Sequence, residues 1–489
     1  MSEMHQQALA SIYRQVLQRL VNAHGEAQRQ AMLRLAEGLG RRFPQPEQAR
    51  LVVMCSGDRD GLIAVALLRG AQLLLAEAQG QTFRLRVAVP LHPGMSTVDH
   101  GNVQRACAAL FLHEDERVEV LAVNCTGLHP YERTQSGHET QLGAARALLG
   151  SAHAGSACIG RHCIIGTARL LLLALEGSQW SNVLVTAQPL ASLLRQYARA
   201  RRLLRKAGSL GPGERHPVPA WLHRVAGLME GASPCQYPEQ ALAAPLNVQA
   251  FLSSSPKVRW EQAMQCLGMQ LDPFSLRSDA LDCRDYLLGA HLSALAAKHL
   301  KGEDAASGLV DWLRPRFDRL RREGVPVRKL AGLRAGCLGE RAIDSQAYRL
   351  QLHSEERYGV NEEQLCCLIF KPFVDRGAGL KAFLECCHPD KLHRERQLRQ
   401  ALEGQIAPAE AVGWLQRVSG LPLPLLRQLY AKATRGNRQH GRLSATLHSL
   451  CGCHAAPLAQ RQGEELAKRT AHSVSPGQRG QSTKGAGHG

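Results

Sequence analysis

The sequence predicts an α/β protein in which a parallel sheet is followed by a long, all-helical region. Two observations lead to this fold class. Strand-like and helix-like segments alternate between residues 46 and 207, which is typical of a parallel sheet covered by helices on both faces. From residue 221 to residue 468 the apolar residues recur at helical spacing, and a Gly/Pro-rich linker at 208–220 separates the two regions.

The predicted elements follow one another along the chain. Residues 1–45 are typical of one or two amphipathic helices that end at the sequence FPQP. Strands are predicted at 49–55, 83–91, 117–124 and 181–188, and helices at 60–76, 98–111, 143–149 and 165–175. The tail, 469–489, is rich in Ser and Gly and is expected to be disordered.

Composition limits the compartment and the kind of partner. The formal net charge of +18 and the pI near 9.6 favour a polyanionic partner such as RNA or DNA, although a genome that prefers Arg produces the same balance. No secretory signal opens the chain, so we expect the 15 cysteines to be reduced and the protein to be cytoplasmic. No apolar run approaches the length of a membrane span, so no membrane partner is expected, and the oligomeric state stays open.

The loop after the first predicted strand carries the residues from which we predict a site. Its sequence, SGDRDG (56–61), places two aspartates and two glycines at the edge of a parallel sheet where ligands bind. Small residues let backbone N–H groups approach a phosphate there, and the helix N-terminus adds positive potential. The loop could therefore hold a phosphate, hold a metal ion or only turn the chain.

This loop resembles motifs of two families. It resembles the PP-loop of the ATP pyrophosphatases, with consensus SGGxDS, in Ser56, Gly57 and Asp60, whereas Asp58 and Gly61 replace the second glycine and the closing serine. It also resembles the first motif of the DHH phosphoesterases, roughly HGDxDG, in its two glycines and two aspartates. The second resemblance implies that the aspartates ligate a divalent metal ion that activates water.

Segments further along the chain favour the first family. The stretch 87–107 resembles the HHGLS…AD.W…C segment of the tRNA(Ile)-lysidine synthetases, with His92 and Ser96 in register and Pro93 in place of the second histidine. The stretch 168–193 resembles that family's AR…LVTAHHxDD segment but lacks the acidic pair. No DHH triplet follows the third predicted strand. The resemblance covers roughly residues 50–197 and implies a Rossmann-like sheet of the HUP/PP-loop type with a degenerate nucleotide site.

The resemblance to the PP-loop family also implies a set of site residues. An active site would bind the pyrophosphate end of ATP, with Mg²⁺, and would adenylate a base of tRNA as an ATP-dependent ligase of the lysidine synthetase type. Asp60 is then the catalytic candidate. A degenerate site would need neither ATP nor Mg²⁺. The predicted nucleotide-binding residues are Ser56, Gly57, Asp58, Asp60, Gly61 and His92.

Three Arg-rich clusters are candidates for contacts with nucleic acid. The first follows the fourth predicted strand, and helical spacing places Arg195, Arg199 and Arg202 on one face. The second and third lie at 314–329 and 391–399. Each cluster alone is more typical of a solvated helix face with Glu interspersed. Together with the net charge, the three clusters favour RNA, with tRNA first.

Cysteines and histidines are concentrated in CIGRHC (158–163), ECCHPDKLH (385–393) and CGCH (451–454). The last two could supply four soft ligands to zinc, but they lack the repeated CxxC spacing of zinc sites. Buried free thiols are commoner in a helical core. We therefore predict no metal ligand from the sequence.

The sequence leaves three functions open. The first is an RNA-associated protein, acting on or near tRNA, whose ATP site is weakened or lost. The second is a metal-dependent phosphoesterase of the DHH type that uses Asp58 and Asp60. The third is a non-catalytic interaction protein that uses the nucleotide-binding fold as a scaffold.

Overall fold

The computed structural model describes residues 3–91, 94–123, 128–131, 149, 183–187, 244–274, 276 and 285–431. Two helices, α1 (Glu3–Ala23) and α2 (Glu26–Arg42), precede a six-stranded sheet. The strands are β1 (Arg50–Met54), β2 (Arg84–Pro90), β3 (Val118–Val123), β4 (Leu128–Pro130), β5 (Val183–Thr186) and β6 (Ala244–Asn247). Helix α3 (Arg59–Gln79) joins β1 to β2, and α4 (Thr97–Leu110) joins β2 to β3. The predicted α/β class is confirmed.

The strands lie in the order β4-β3-β2-β1-β5-β6. Every neighbouring pair is parallel except β3 and β4, which are antiparallel. Four of the five residues of β1 are buried, as expected for a strand that is covered on both faces. The chain therefore builds one side of the sheet outward from β1 to β3 and then returns beside β1 with β5.

Two strands were not predicted. The three-residue β4 is too short to show alternation, and β6 lies beyond residue 207, where the sequence predicts that the sheet domain ends. Residue Pro245 within β6 gives no strand signal, but proline is tolerated on an edge strand, and β6 is the last strand on its side of the sheet. The predicted helices 143–149 and 165–175, the linker and the tail lie outside the described residues, apart from Leu149.

Helix α3 is the central helix of the sheet domain. By length and composition it could cross a membrane, which the sequence did not lead us to expect, but 78% of its most apolar window is buried inside the protein. Within it, the fully buried Arg69 donates to Asp115 at 2.7 Å, to Gln72 at 2.6 Å and to the carbonyl of Leu110 at 3.2 Å. The one charge buried in this helix is therefore paired with a carboxylate near the start of β3.

The helical region predicted from residue 221 onward begins, among the described residues, with α5 (Pro256–Cys266). The later helices are α6 (Tyr286–Ala296), α7 (Ala305–Arg322), α8 (Val327–Leu338), α9 (Glu340–Tyr358), α10 (Glu362–Phe370), α11 (Leu380–Cys387), α12 (Glu395–Glu403), α13 (Ala409–Ser419) and α14 (Leu423–Ala431). A π-helical turn, Ala297–Lys301, follows α6 directly. Helices α6–α14 share a second hydrophobic core, whereas α5 contributes Trp260 to that core and Ala263 to the core of the sheet.

Polar side chains determine where several of these helices begin. In five of them, the side chain of the residue before the helix accepts a hydrogen bond from a backbone N–H in the first turn. These residues are Asp58, Ser96, Ser255, Asp285 and Asp304. Such caps satisfy N–H groups that have no partner within the helix. The first two lie at the edge of the sheet where the candidate site is found.

Candidate functional site

The loop between β1 and α3 lies at the point where the strand order reverses. Because the chain runs outward from β1 on one side and returns with β5 on the other, the connections after these strands diverge and leave a crevice at their carboxyl ends. The structure brings together the predicted residues of 56–61 in this loop. Predicted residue His92 and the basic residues Arg195, Arg199 and Arg202 lie outside the described residues.

Gly57 is required by the shape of the loop. Its φ of +79° is rare for residues with a side chain, and a Cβ at this position would overlap the carbonyl oxygen of Asp99 in the first turn of α4. The buried Asn102 joins the same segments, since its Nδ2 donates to Gly57 O at 3.4 Å and to Gln270 O at 3.1 Å. Its Oδ1 accepts from the Gln270 N–H at 2.8 Å. The loop is therefore packed directly against α4 and the segment after α5.

The Asp58 side chain points back into its own loop. One carboxylate oxygen accepts from the backbone N–H of Gly61 at 2.9 Å, and the other accepts from the Ser56 hydroxyl at 2.8 Å. The residue is only 6% exposed, and burial raises the pKa of this carboxyl even though both hydrogen bonds act to lower it. Asp58 thus caps α3 and occupies the helix N-terminus, the position from which an anionic ligand would be bound.

Gly61 makes room for this cap. A Cβ at position 61 would lie 2.7 Å from an oxygen of Asp58, which is closer than real contacts of that kind. The aspartate at 58 and the glycine at 61 are the two positions at which the loop departs from the PP-loop consensus. The two departures touch each other in the structure, because the Asp58 carboxylate accepts from the Gly61 N–H and, in this rotamer, fills the space beside its Cα.

Asp60 is held by two arginines. Arg59 donates to one of its carboxylate oxygens at 2.7 Å, and Arg259 of α5 donates to the other at 2.7 Å. The Arg59 guanidinium also pairs with Glu323 at 3.1 Å and lies 4.6 Å from the ring of Trp260. Burial lowers the pKa of Arg59, but Asp60 and Glu323 more than offset this, and the pKa is raised. The proposed catalytic carboxylate is thus neutralised by residues that cover the loop.

The partners of Asp60 were not found by sequence reasoning. Arg259 and Glu323 lie 199 and 264 residues from their partners in the loop, and nothing in the sequence links these segments. The only local sign is Arg59 itself, a cation between two aspartates. Because one partner is on α5 and the other follows α7, the helical region closes one side of the loop.

In the loop after β2, as in the loop after β1, polar side chains bond to backbone N–H groups of the helix that follows. Ser96 and Asp99 form a capping box at the start of α4, in which each side chain accepts from the other residue's backbone N–H, at 3.1 and 3.0 Å. Gly94 lies against Asp285, so closely that a Cβ on Gly94 would come within 2.9 Å of the Asp285 Cα. Two described residues of the stretch that resembles the lysidine synthetase segment therefore have structural roles. Ser96 caps α4, and Gly94 contacts the helical region.

The second basic cluster divides into paired and exposed residues. Arg316 is buried and stacks on the Trp312 ring at 3.7 Å, and Arg319 pairs with Glu323. Arg321, Arg328 and Lys329 are exposed, as is Arg334 just beyond the cluster, and none of the four forms an ion pair with another described residue. The last three lie on α8, which contains no acidic residue.

The third basic cluster contributes to a pocket of about 290 Å³. Its wall includes the cations Lys391, Arg394 and Arg417, with Trp414 beside them. Arg394 is paired with Glu410 at 2.5 Å, so part of the positive charge is already neutralised.

Two of the cysteines considered for zinc lie beside residues that the sequence did not suggest. Cys386 and Cys387 approach His299 of the π-helical turn, and Cys387 also approaches Cys366 of α10. His388 packs instead against the rings of Phe383 and Trp414, with its Nε2 3.2 Å from Glu363. CIGRHC and CGCH lie outside the described residues.

A comparison of the chain with protein-family models, curated proteins and solved structures gave no match.

Proposed function

We propose that this chain is an RNA-binding protein whose α/β domain derives from a PP-loop nucleotide-binding fold and no longer uses ATP. The observation that carries the proposal is the Asp58 carboxylate at the N-terminus of α3. Phosphate binding at such a position relies on free backbone N–H groups and positive potential. Here a carboxylate takes one of these N–H groups and would repel the phosphate.

The strand order supports the origin of the domain. The parallel strands β3-β2-β1-β5-β6 correspond to order 3-2-1-4-5, which doubly wound nucleotide-binding sheets share. The SGDRDG loop falls at their switch point, where a PP-loop would lie. A doubly wound sheet hosts many functions, so this order supports the fold and leaves the activity to the residues of the loop.

The pairing of Asp60 argues against either enzymatic alternative. An ATP-dependent ligase would need Asp60 to face its substrate, and a DHH-type phosphoesterase would need Asp58 and Asp60 to share a metal ion. Instead, Asp58 is turned toward Gly61 and Ser56, whereas Asp60 is turned toward two guanidinium groups. Each carboxylate would have to abandon its hydrogen bonds to serve in catalysis.

The surface of α8 supports RNA as the partner. This helix buries only Cys337, and its exposed cations Arg328, Lys329 and Arg334 have no ion-pair partner among the described residues. Val327 at its start is 80% exposed. Unpaired cations on an open helix can contact phosphates without first losing a carboxylate partner, and they act together with the +18 net charge.

Salt-dependent binding of unfractionated tRNA tests the RNA assignment. We expect the variant Arg328→Gln/Lys329→Gln/Arg334→Gln to bind more weakly, with a log–log salt slope that is shallower by about 0.7–0.9 for each phosphate that the variant no longer neutralises. The matched control, Arg14→Gln/Arg34→Gln/Arg41→Gln, removes the same charge from the exposed faces of α1 and α2. Equal weakening in both variants, or binding that does not respond to salt, would overturn the α8 surface as the site.

Binding of ATP with Mg²⁺ tests the loss of the nucleotide site. We expect the full-length wild-type chain to bind neither ATP nor Mn²⁺ at micromolar concentrations. ATP binding that survives Asp58→Ala but is lost in Asp60→Asn would instead establish an active adenylating enzyme. Manganese-dependent cleavage of short oligonucleotides, lost with either substitution, would establish the phosphoesterase.

A further inference from the structure

A histidine and three cysteines meet on one side of the helical region, away from the loop after β1. His299 lies in the π-helical turn, Cys366 on α10, and Cys386 and Cys387 at the end of α11. One ligand atom from each of His299, Cys366 and Cys387 lies within 4.8 Å of the other two. The Sγ atoms of Cys386 and Cys387 are 3.5 and 3.9 Å from Nδ1 of His299.

We propose that His299, Cys366 and Cys387 bind one zinc ion through an imidazole and two thiolates, and that Cys386, whose Sγ is 3.5 Å from Nδ1 of His299, supplies the fourth ligand after a change of its side-chain rotamer. Tetrahedral zinc with Zn–S and Zn–N bonds of about 2.3 and 2.0–2.1 Å places its ligand atoms about 3.6 Å (S···N) and 3.8 Å (S···S) apart. The measured S···N separations of 3.5 and 3.9 Å bracket the first value. His299, Cys366 and Cys387 already lie within 4.8 Å of one another, so they need to close by about an ångström at most, whereas Cys386 needs a larger movement.

The histidine is oriented as in a metal site. Its Nδ1 faces the thiols, and its Nε2 lies 3.7 Å from a carboxylate oxygen of Glu362. This Nε2 is buried and has no hydrogen-bond partner among the described residues. Ligating histidines commonly direct their second nitrogen to a carboxylate, which fixes the tautomer and the ring. Lys298 holds Glu362 in turn, at 3.1 Å.

The backbone around His299 is unusual in a way that fits a ligand. The five residues Ala297–Lys301 form a π-helical turn, and Gly302 ends it with a φ of +68°. Short π-helical turns within helices occur frequently at functional sites. Here the wide turn brings the imidazole of His299 to the thiols at the end of α11.

The set of donors selects a soft metal ion. Thiolates and imidazole suit zinc, whereas Mg²⁺ and Ca²⁺ require oxygen ligands. Each thiol that binds releases its proton to the solvent, so the site holds the ion as a complex of thiolates. Cys386 is exposed, which gives the ion a path from solvent. The ion would fix the π-helical turn, α10 and α11 to one another.

Titration of the reduced, chelator-treated full-length protein with zinc tests the proposal. We expect one zinc per chain, measured in competition with a chromophoric chelator, and a thiolate-to-metal charge-transfer band when Co²⁺ replaces zinc. Affinity should fall more than 100-fold in Cys366→Ser and in His299→Gln, and 10- to 100-fold in Glu362→Gln. Cys386→Ser should retain binding with lower affinity.

Two controls separate this site from other thiols. Cys367 is next to Cys366, but its Sγ donates to the carbonyl of Val418, so Cys367→Ala should leave zinc binding unchanged. The variant Cys451→Ser/Cys453→Ser should also bind normally. Loss of zinc in that variant, with retention in Cys366→Ser, would overturn the proposal, as would no uptake by the wild-type chain.

A measurement on the wild-type chain avoids any effect of substitution on folding. Zinc should protect Cys366, Cys386 and Cys387 from alkylation, measured residue by residue by mass spectrometry. Cys266, which is half-buried on α5, should react at the same rate with and without zinc. Equal reactivity of Cys386 in both conditions would count against its role as the fourth ligand.

Discussion

The Asp58 carboxylate and the Gly61 backbone N–H are joined by a 2.9 Å hydrogen bond, and in the observed rotamer the carboxylate lies beside the position that a Cβ of residue 61 would take. This pair bears on whether the SGDRDG loop holds a phosphate, holds a metal ion or only turns the chain. The first aspartate caps α3, and this is the arrangement from which we propose that the loop no longer binds a phosphate. The second aspartate, Asp60, serves to attach the helical region to the loop.

The dependence of Asp58 on Gly61 predicts coupled substitutions. Gly61→Ser alone should lower the free energy of unfolding by about 0.5–1.5 kcal/mol, because the new Cβ forces the Asp58 carboxylate out of its present rotamer. Asp58→Gly alone should cost up to about 1 kcal/mol through loss of the cap. The double variant should cost less than the sum, by about 1 kcal/mol in urea unfolding. Additive costs would show that the two side chains do not share this space.

The contact between Asp60 and Arg259 predicts a stabilising interaction between the sheet and the helical region. Their side chains are 23% and 17% exposed, so solvent screens the pair only in part. A double-mutant cycle with Asp60→Asn and Arg259→Gln should give a coupling energy of about 1–2 kcal/mol. Lys257→Gln, on the same helix, is the control and should show no coupling with Asp60→Asn. A cycle that closes to zero would show that the pair contributes nothing.

The buried pair of Arg69 and Asp115 predicts a large effect of removing one partner. Arg69→Met leaves the Asp115 carboxylate without its fully buried cation and should lower the free energy of unfolding by about 3–5 kcal/mol. Arg117 also pairs with Asp115 but is 27% exposed. Arg117→Met should therefore cost clearly less, measured by thermal or urea unfolding. Similar losses for both variants would contradict the assigned difference in burial.

The buried His291 predicts a loss of stability in mild acid. Its pKa is lowered to about 4, mainly by burial and to a smaller extent by the nearby His353, while Glu362 opposes the shift. Its unfolded pKa is about 6.5, so below that pH the unfolded chain binds a proton that the folded chain excludes. Stability attributable to this residue is full above pH 6.5 and falls by up to about 3 kcal/mol as the pH approaches 4.

Substitution of His291 isolates this contribution. His291→Gln cannot titrate and retains a polar atom for the hydroxyl of Ser354, which lies 2.9 Å from Nδ1 of the histidine. Unfolding free energies measured at pH 7 and pH 4.5 should differ less in this variant than in the wild-type chain. The same difference in both would show that other groups account for the acid sensitivity.

Sequence patterns predicted the elements whose signal is local. The strands β1, β2, β3 and β5 and the helices α3 and α4 follow from apolar periodicity and fall within a few residues of their predicted bounds. The strands β4 and β6 were missed, because they are defined by pairing with neighbours and not by their own composition. The sheet class was therefore predictable, and its two edges were not.

The position of the candidate site could be predicted from the sequence, but the contacts of its side chains could not. The sequence placed residues 56–61 at the correct edge of the sheet and identified Asp58 and Gly61 as departures. It could not show that the two fit together, since the hydrogen bond depends on the direction of a side chain. Nor could it bring Arg259, or the cluster of His299 with Cys366, to their partners. These contacts join segments that only the tertiary fold makes neighbours.

Asn102 has a consequence for any ligand at this edge of the sheet. Because it holds Gly57 and Gln270 together, we expect any conformation in which the loop is open to a ligand to be a minor population. If one molecule in a hundred is open, the apparent dissociation constant is about a hundred times the intrinsic one. Asn102→Ala should raise the open fraction and tighten such binding, so a ligand whose affinity does not change in that variant binds elsewhere on the protein.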